Sequence, residues 1–415
     1  MNKFGVQFSS ESITALSIRC INDSNDSAGE IEEIRDVLRK FQKGYSEKKI
    51  DEINSFMEEL FLYSEEISIL GTATGEIIIG KEAVKQLLKE DWLYWGDLNI
   101  DYKNAYITID KDVAWISSKG TVNYTFEDTP ERYDRYVNYI KENLENTDFT
   151  PKQKITFINW VLALNYHQRV DEWREYLWPM CLSAVLIKVN DKWKFGGLQF
   201  SMAEANFPDE RFENSKIFVD KYNEQMSMIN QYNKHKVSND IEKFIKSFES
   251  EFAASEDISE QLVSKYFKGK NMSYVIGPDN HWYIGMKEIK EFFTEGDMKN
   301  LSLEIENSMV TNFGEITWVT LFGTLKQQLN EEELIQRSLG ELDNLFKSNR
   351  TSKDKLFGAH RSIAYVLKEC AAGESYTCPI RMTAIVSNSS DRPVFNYIHF
   401  SFPFYWVLEG KLDSI

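Results

Sequence analysis

Five histidines, His167, His235, His281, His360 and His399, are the side chains of this 415-residue chain that ordinarily titrate near neutrality. Their spacing builds no metal site: there is no HExxH, no CxxC and no His/Asp cluster, so neither metal nor cofactor is expected. A GxSxG elbow and a phosphate-cradling glycine loop are absent as well. The cysteines, Cys20, Cys181, Cys370 and Cys378, stand far apart and read as free thiols of a reducing, cytoplasmic compartment. His399 is the most informative of the titratable groups. By strand alternation Ile398, Phe400 and Phe402 share one face of a sheet, and Tyr397, His399 and Ser401 share the other. If the apolar face meets helices, His399 lies on the outer face with an interface role. The reverse assignment makes it an acid or base inside the domain.

Aromatic residues make up 14% of the chain, enough to line a cavity or simply to fill large cores. Trp92 and Trp95 cluster with Tyr94 just ahead of Tyr102, His281 precedes Trp282, and Trp115 and Trp318 occupy equivalent places in a repeat. With His399, the residues Trp92, Trp95, Tyr102, Trp115, His281, Trp282 and Trp318 are the candidate ligand contacts. For the two mid-strand tryptophans, core packing is the favoured reading. Acidic runs such as Glu331-Glu332-Glu333 read as solvated surface.

The net charge of −17 disfavours nucleic acid and anionic membranes as partners. No run approaches the roughly 18 apolar residues of a membrane span, and the first twenty or so residues lack the apolar stretch of a secretory signal.

The elements that must carry these residues occur twice. Leu98 to Phe126 returns as Leu301 to Leu329 at one offset (318 − 115 = 203), with Asn104/Asn307, Trp115/Trp318 and Gly120/Gly323 identical. Each copy predicts a β-hairpin, turning at Asp110-Lys111-Asp112 or Asn312-Phe313-Gly314. Upstream, the amphipathic face Ile34, Val37, Leu38, Phe41, Tyr45 is matched by Ile241, Phe244, Ile245, Phe248, Phe252 (241 − 34 = 207). A short strand and then Gly80 or Gly285 open a further helix in each copy. Each hairpin is followed by two helices, at 130–147 and 151–170 or 331–348 and 352–370, with Thr150-Pro151 as a helix start. Two strands then close each copy, Leu182–Val189 with Lys192–Met202, and Arg381–Ser387 with Pro393–Phe402. A duplicated α+β domain follows: a leader at 1–29, domain one at 30–203 with a helical insertion near 127–172, a connector at 204–237, and domain two at 238–410 with an insertion near 330–372.

This order of elements, carried by YSEKKIDEINSF, EISILGT, IIIGKEAVKQLL and DVAWISSKGTV and repeated in SYVIG, YIGMKEIKEFF and EITWVTLFGTL, resembles the SnoaL-like, nuclear transport factor 2-like superfamily with its cystatin-like cone fold. The resemblance implies two tandem cones, each a curved antiparallel sheet wrapped on helices with a pocket at its wide end. The helical-hairpin insertions depart from the minimal pattern and bear on the pocket mouth. It implies activities from isomerase and dehydratase to pure binding or dimerisation, and fold alone does not choose among them. The ketosteroid isomerase branch uses a tyrosine on the first helix and an aspartate after the first strand. Here those places hold Phe41 or Phe248, and Leu70-Gly71 or Val275-Ile276-Gly277, so that chemistry is not expected.

Two function classes remain. One is binding of a small apolar or aromatic molecule in a cone-shaped pocket, with cofactor-independent isomerase- or dehydratase-like action in at most one domain. The other is a non-catalytic scaffold for protein contacts. A cavity of roughly 300 Å³ or more with a titratable group would mark the first, and filled cones the second. Because such folds pair through sheet faces, the tandem copies are expected to form a pseudo-dimer within one chain, alone or in a modest homo-oligomer.

Overall fold

The computed structural model describes residues 26–404 apart from 128, 167–168, 171–172, 203–210, 215, 233–238, 255–257, 270–272, 296–297 and 389–391. Cys20, His167 and His235 lie outside the described residues.

The first α+β unit runs α1 (Asp26–Glu47), α2 (Ile53–Leu60), β1 (Ser68–Leu70), β2 (Ile77–Ile79), α3 (Lys81–Tyr94), β3 (Asp97–Ile100), β4 (Tyr106–Asp110) and β5 (Val113–Glu127). It continues through α4 (Pro130–Glu145), α5 (Pro151–Tyr166), β6 (Arg169–Val170), β7 (Trp173–Val189) and β8 (Lys192–Met202). After α6 (Lys216–Tyr232) the second unit repeats the order. Its elements are α7 (Asn239–Ala254), α8 (Glu260–Tyr266), β9 (Tyr274–Ile276), β10 (Trp282–Ile284), α9 (Gly285–Glu295), β11 (Leu301–Leu303), β12 (Met309–Phe313) and β13 (Ile316–Gln328). It ends with α10 (Glu331–Lys347), α11 (Ser352–Ala372), β14 (Ser375–Ser387) and β15 (Val394–Ser401).

The two sheets have the same strand order, β2-β1-β8-β7-β5-β3 and β10-β9-β15-β14-β13-β11. One neighbour pair in each is parallel, β1 with β8 and β9 with β15, and the others are antiparallel. A register shift interrupts β7–β8 at Val185/Leu186 and β14–β15 at Ile385/Val386, equivalent places (385 − 185 = 200). Such bulges increase the bend of a sheet, as wrapping around a helix requires. Gly80 and Gly285 have φ of 89° and 79°, a left-handed geometry that lets the chain leave a strand and enter α3 or α9 at once.

The stretch 98–126 is three strands, not one hairpin. β3 pairs with the far half of β5 (Leu98↔Val122) and β4 with the near half (Thr108↔Trp115). The closing strands also start earlier than alternation predicts, at Trp173 and Ser375. Pro179 and Pro379 argue against strand in the sequence. Both fall beyond the point where pairing with β8 or β15 stops, at Met180 and Arg381, so neither proline removes a hydrogen bond from that ladder. Helix α1 begins at Asp26, inside the leader expected at 1–29.

Each sheet buries its concave face against its own helices. In the first unit Phe41, Phe61 and Phe195 meet at ring distances of 5.3 to 6.1 Å. In the second, Phe248, Phe267 and Phe395 do so at 5.1 to 6.4 Å. The other faces meet one another, with Trp115, Val185, Tyr274, Trp318, Ile385 and Tyr397 in one buried cluster drawn from both units. Helix α6 docks on this assembly through Tyr222, Met226 and Ile229, against Leu70 and Ile77 of one unit and Met309 and Phe322 of the other. The helical insertions also touch, Trp160 of α5 lying 4.8 Å from Tyr365 of α11. Thr150 caps α5 and Asn330 caps α10, each with its reciprocal Gln153 or Glu333 partner.

Candidate functional site

One buried polar grouping lies between the sheets and another inside the first unit.

Between the sheets, His399 is fully buried with Nδ1 2.9 Å from Ser183 Oγ and Nε2 2.9 Å from Ser201 Oγ, both serines from the other unit. Ser183 Oγ lies 3.1 Å from Ser117 Oγ, which lies 3.0 Å from Tyr274 Oη. At the other end Ser201 donates to Asn280 Oδ1 at 2.9 Å. Gln199 of the first unit donates to Ser401 of the second at 2.9 Å. Positions 199 and 201 therefore meet 401 and 399, the reciprocal pattern of a twofold-related interface. Burial pushes the His399 pKa down to about 3, so the ring is neutral and one nitrogen donates while the other accepts. Sealed between two faces, it is a joint and not an accessible base.

The second grouping lines a cavity of about 80 Å³ between α1, α3 and the concave sheet of the first unit. Leu87, Asp91 and Trp95 enter from α3 and its end at a spacing of four, one stripe of a helix. Tyr45 comes from α1, Gly71, Thr72 and Glu76 from the β1–β2 loop, and Leu98, Val122, Met180, Phe200 and Met202 from the sheet. Tyr45 is 2% exposed and its hydroxyl donates to Asp91 Oδ2 at 2.6 Å. Desolvation raises the Asp91 pKa to about 7. The Tyr45 hydrogen bond acts the other way, Glu76 and Glu90 add to the rise, and Lys48 lowers it. Burial and the neighbouring Asp91 hold the Tyr45 phenol well above its ordinary range. A carboxyl that changes state near neutrality beside a phenol, in a mainly apolar cavity, can hold or accept a proton. Lys48 donates to the Trp95 carbonyl at 2.9 Å and fixes that wall.

These causes predict opposite effects for two substitutions. Glu76→Gln removes a neighbouring negative charge and should lower the Asp91 midpoint. Tyr45→Phe removes a hydrogen bond to the carboxylate and should raise it. Carboxyl carbon chemical shifts followed through a pH titration check both signs.

The cavity does not gather the eight candidate residues of the sequence. Trp95 lines it. Trp92 is buried beside it, edge-on to Phe56 at 5.0 Å, and Tyr102 packs at the margin of the same core. Trp115, Trp318 and Trp282 belong to the cluster between the sheets, where Trp282 stacks on Tyr274 at 5.6 Å. His281 is exposed, its ring 4.7 Å from Tyr283, and His399 joins the units as described above. Among the described residues no group of His, Cys, Asp and Glu is placed to hold a metal ion, and no helix is long and apolar enough to cross a membrane. Among the described residues Cys181, Cys370 and Cys378 form no disulfide.

At Phe41 and Leu70-Gly71 neither group is present, yet the first unit brings a phenol and a carboxylate together. They meet from other positions, the phenol one turn beyond Phe41 and the carboxylate on α3. A signal existed: Asp91 is seven residues from Val84 and three from Leu88, both fully buried, so it lies on the inward stripe of α3. The second unit lacks the pair. Phe252 takes the place of Tyr45 (252 − 45 = 207) and Gly296 that of Asp91 (296 − 91 = 205) in the sequence. Phe252 packs 4.6 Å from both Phe248 and Phe293.

Residues 34–140 match the family model described as a SnoaL-like domain. No curated protein matches the chain. Similar solved structures include a nuclear transport factor 2-like superfamily protein from Salmonella enterica serovar Typhimurium, 11% identical, covering 45% of this chain and 99% of that one with a TM-score of 0.29. A nuclear transport factor 2-like protein of unknown function from Shewanella oneidensis is 10% identical, covering 41% and 97% with a TM-score of 0.24. A ketosteroid isomerase-like protein from Erwinia carotovora atroseptica is 10% identical, covering 44% and 99% with a TM-score of 0.27. Residues 34–140 of the first unit thus match a SnoaL-like domain, and the second unit repeats the same α+β strand order.

Proposed function

We propose that the first unit binds a small, mainly apolar or aromatic molecule, and that Asp91 exchanges a proton with its one polar group. The observation that carries this reading is the Tyr45–Asp91 pair, a 2.6 Å hydrogen bond at the wall of a mainly apolar cavity, with the Asp91 midpoint raised to about 7. A proton acceptor of that strength suits cofactor-independent proton transfer, the step shared by isomerisation and dehydration. The cavity, about 80 Å³, is smaller than the few hundred cubic ångströms of a drug-sized site. It has the volume of two or three water molecules at roughly 30 Å³ each. It therefore receives a small molecule, or one end of a larger one.

The second unit serves as scaffold in this reading. Its phenylalanine core replaces the polar pair, and its sheet face and insertion helices contact the first unit.

Native mass spectrometry of protein taken from its own cells, with extraction of bound molecules, tests the binding. A retained small molecule that is lost in Tyr45→Phe or Asp91→Asn protein supports the reading. Asp91 titrating near 4, with no molecule retained, would remove it.

A further inference from the structure

The loop that closes one side of the first unit's cavity, residues 71–76, is held largely from outside that unit. Within the loop, Gly71 N–H donates to the Glu76 carbonyl at 2.9 Å and Ala73 N–H to Glu76 Oε2 at 2.8 Å. A side chain at Gly71 would collide with this carboxylate, the nearest atom lying 2.4 Å from the Cβ position. From α6, Gln225 Oε1 accepts from Gly75 N–H at 3.0 Å. From beyond β15, Phe404 N–H donates to the Thr72 carbonyl at 2.9 Å. From β14 of the second unit, Arg381 reaches across and donates from Nη1 to the Gly71 carbonyl and from Nη2 to the Ala73 carbonyl. Arg381 is only 2% exposed, so this planar fork bridges two carbonyls of another unit inside the protein.

The arrangement is one-sided. The residue equivalent to Arg381 in the first unit is Cys181, since Cys181 pairs with Ser201 as Arg381 pairs with Ser401. A thiol cannot clamp a loop in this way, and the corresponding loop of the second unit instead meets Ser201 through Asn280. The clamp thus exists where the cavity and the Tyr45–Asp91 pair exist.

We propose that Arg381 is a positioning residue for the first unit's site: by holding the carbonyls of Gly71 and Ala73 it sets the loop that presents Glu76 to the cavity, so the second unit governs the shape and proton affinity of a site it does not line. This rests on the reading of the cavity as the functional site, but its test does not depend on a ligand. In full-length Arg381→Gln protein, amide exchange at Gly71 and Ala73 should accelerate about tenfold relative to the β5 and β7 amides. The Asp91 midpoint should fall as Glu76 moves away, whereas Cys181→Ser at the equivalent position should change neither. If Arg381→Gln does not fold, Gln225→Ala, which releases Gly75 from α6, should give the same two changes at smaller size. A folded variant with loop exchange and Asp91 titration unchanged, or with exchange raised uniformly across both sheets, overturns the proposal. A parent protein whose Asp91 titrates near 4 and retains no molecule overturns the functional reading instead, while the loop's exchange still decides the role of Arg381.

Discussion

At pH 8 the Asp91→Asn protein should unfold roughly 4–8 °C above the parent, and the gain should disappear towards pH 4. The ordinary carboxyl pKa is 3.8, and burial in the first unit lifts it to about 7. Between those values the folded protein holds a proton that the unfolded chain has released, so this group's stabilisation is complete below 3.8 and is lost as pH rises through 7. The full shift would correspond to about 4 kcal/mol. Asp91 retains partial exposure and accepts the Tyr45 hydroxyl bond, so about 2 kcal/mol is the expected gain. Asparagine keeps a carbonyl for that bond and removes the charge. Calorimetry of both proteins at pH 4 and pH 8 checks the prediction. A gain as large at pH 4 as at pH 8 would show that it does not come from the proton.

His399 should act in the opposite direction. Its folded pKa is pushed below the ordinary 6.5, to about 3, so the unfolded chain gains a proton that the folded protein refuses. Stability from this group is complete above 6.5 and falls as the pH drops towards 3, by up to about 1.4 kcal/mol for each pH unit. The groups that hydrogen-bond to the ring, Ser183 and Ser201, are neutral hydroxyls, and among the described residues no carboxylate bonds to it to offset the cost of charging it. Between pH 3.8 and 6.5 the two effects oppose each other, so the parent's pH–stability profile should be flatter there than that of either variant. His399→Gln, whose amide can both donate and accept, should lose the acid sensitivity. Denaturant titrations at pH 4, 5, 6 and 7 measure the slope. An unchanged slope in the variant would assign the acid sensitivity to other groups.

The architecture was legible because repetition doubles a weak signal. The amphipathic face of α1 alone is ordinary, but its return as Ile241 to Phe252 fixes both helices and the period. The paired glycines at 80 and 285 were legible for the same reason, since only a backbone requirement gives glycine at both junctions. The early halves of β7 and β14 were not. A mid-strand proline reads as a break unless the partner strand is known to have ended.

The site was less legible than the fold. Trp115 and Trp318 drew attention by recurring, and recurrence marks what both units need, which is packing between the sheets. Tyr45 and Asp91 occur once each and were hidden, the tyrosine at the end of the apolar face of α1 and the aspartate in a charged run. Their pairing spans forty-six residues of sequence and needs the crossing of α1 and α3 to bring it about. Arg381 was illegible for a stronger reason, because its partners are backbone carbonyls of the other unit, which carry no mark of residue type.

The reciprocal contacts of Gln199 with Ser401 and of His399 with Ser201 are those of a symmetric dimer. In a dimer of identical chains, one gene position supplies both halves of every such contact. A residue that favours one site is then duplicated at the other, whether or not it serves a purpose there. Joining the halves in one polypeptide lifts that constraint: position 181 could become cysteine while position 381 became arginine, and neither choice bound the other. The two halves are thereby free to differ, as they do at Tyr45 against Phe252 and Asp91 against Gly296. The covalent link also makes the pairing independent of dilution, so the contact between the sheets persists however few copies a cell contains.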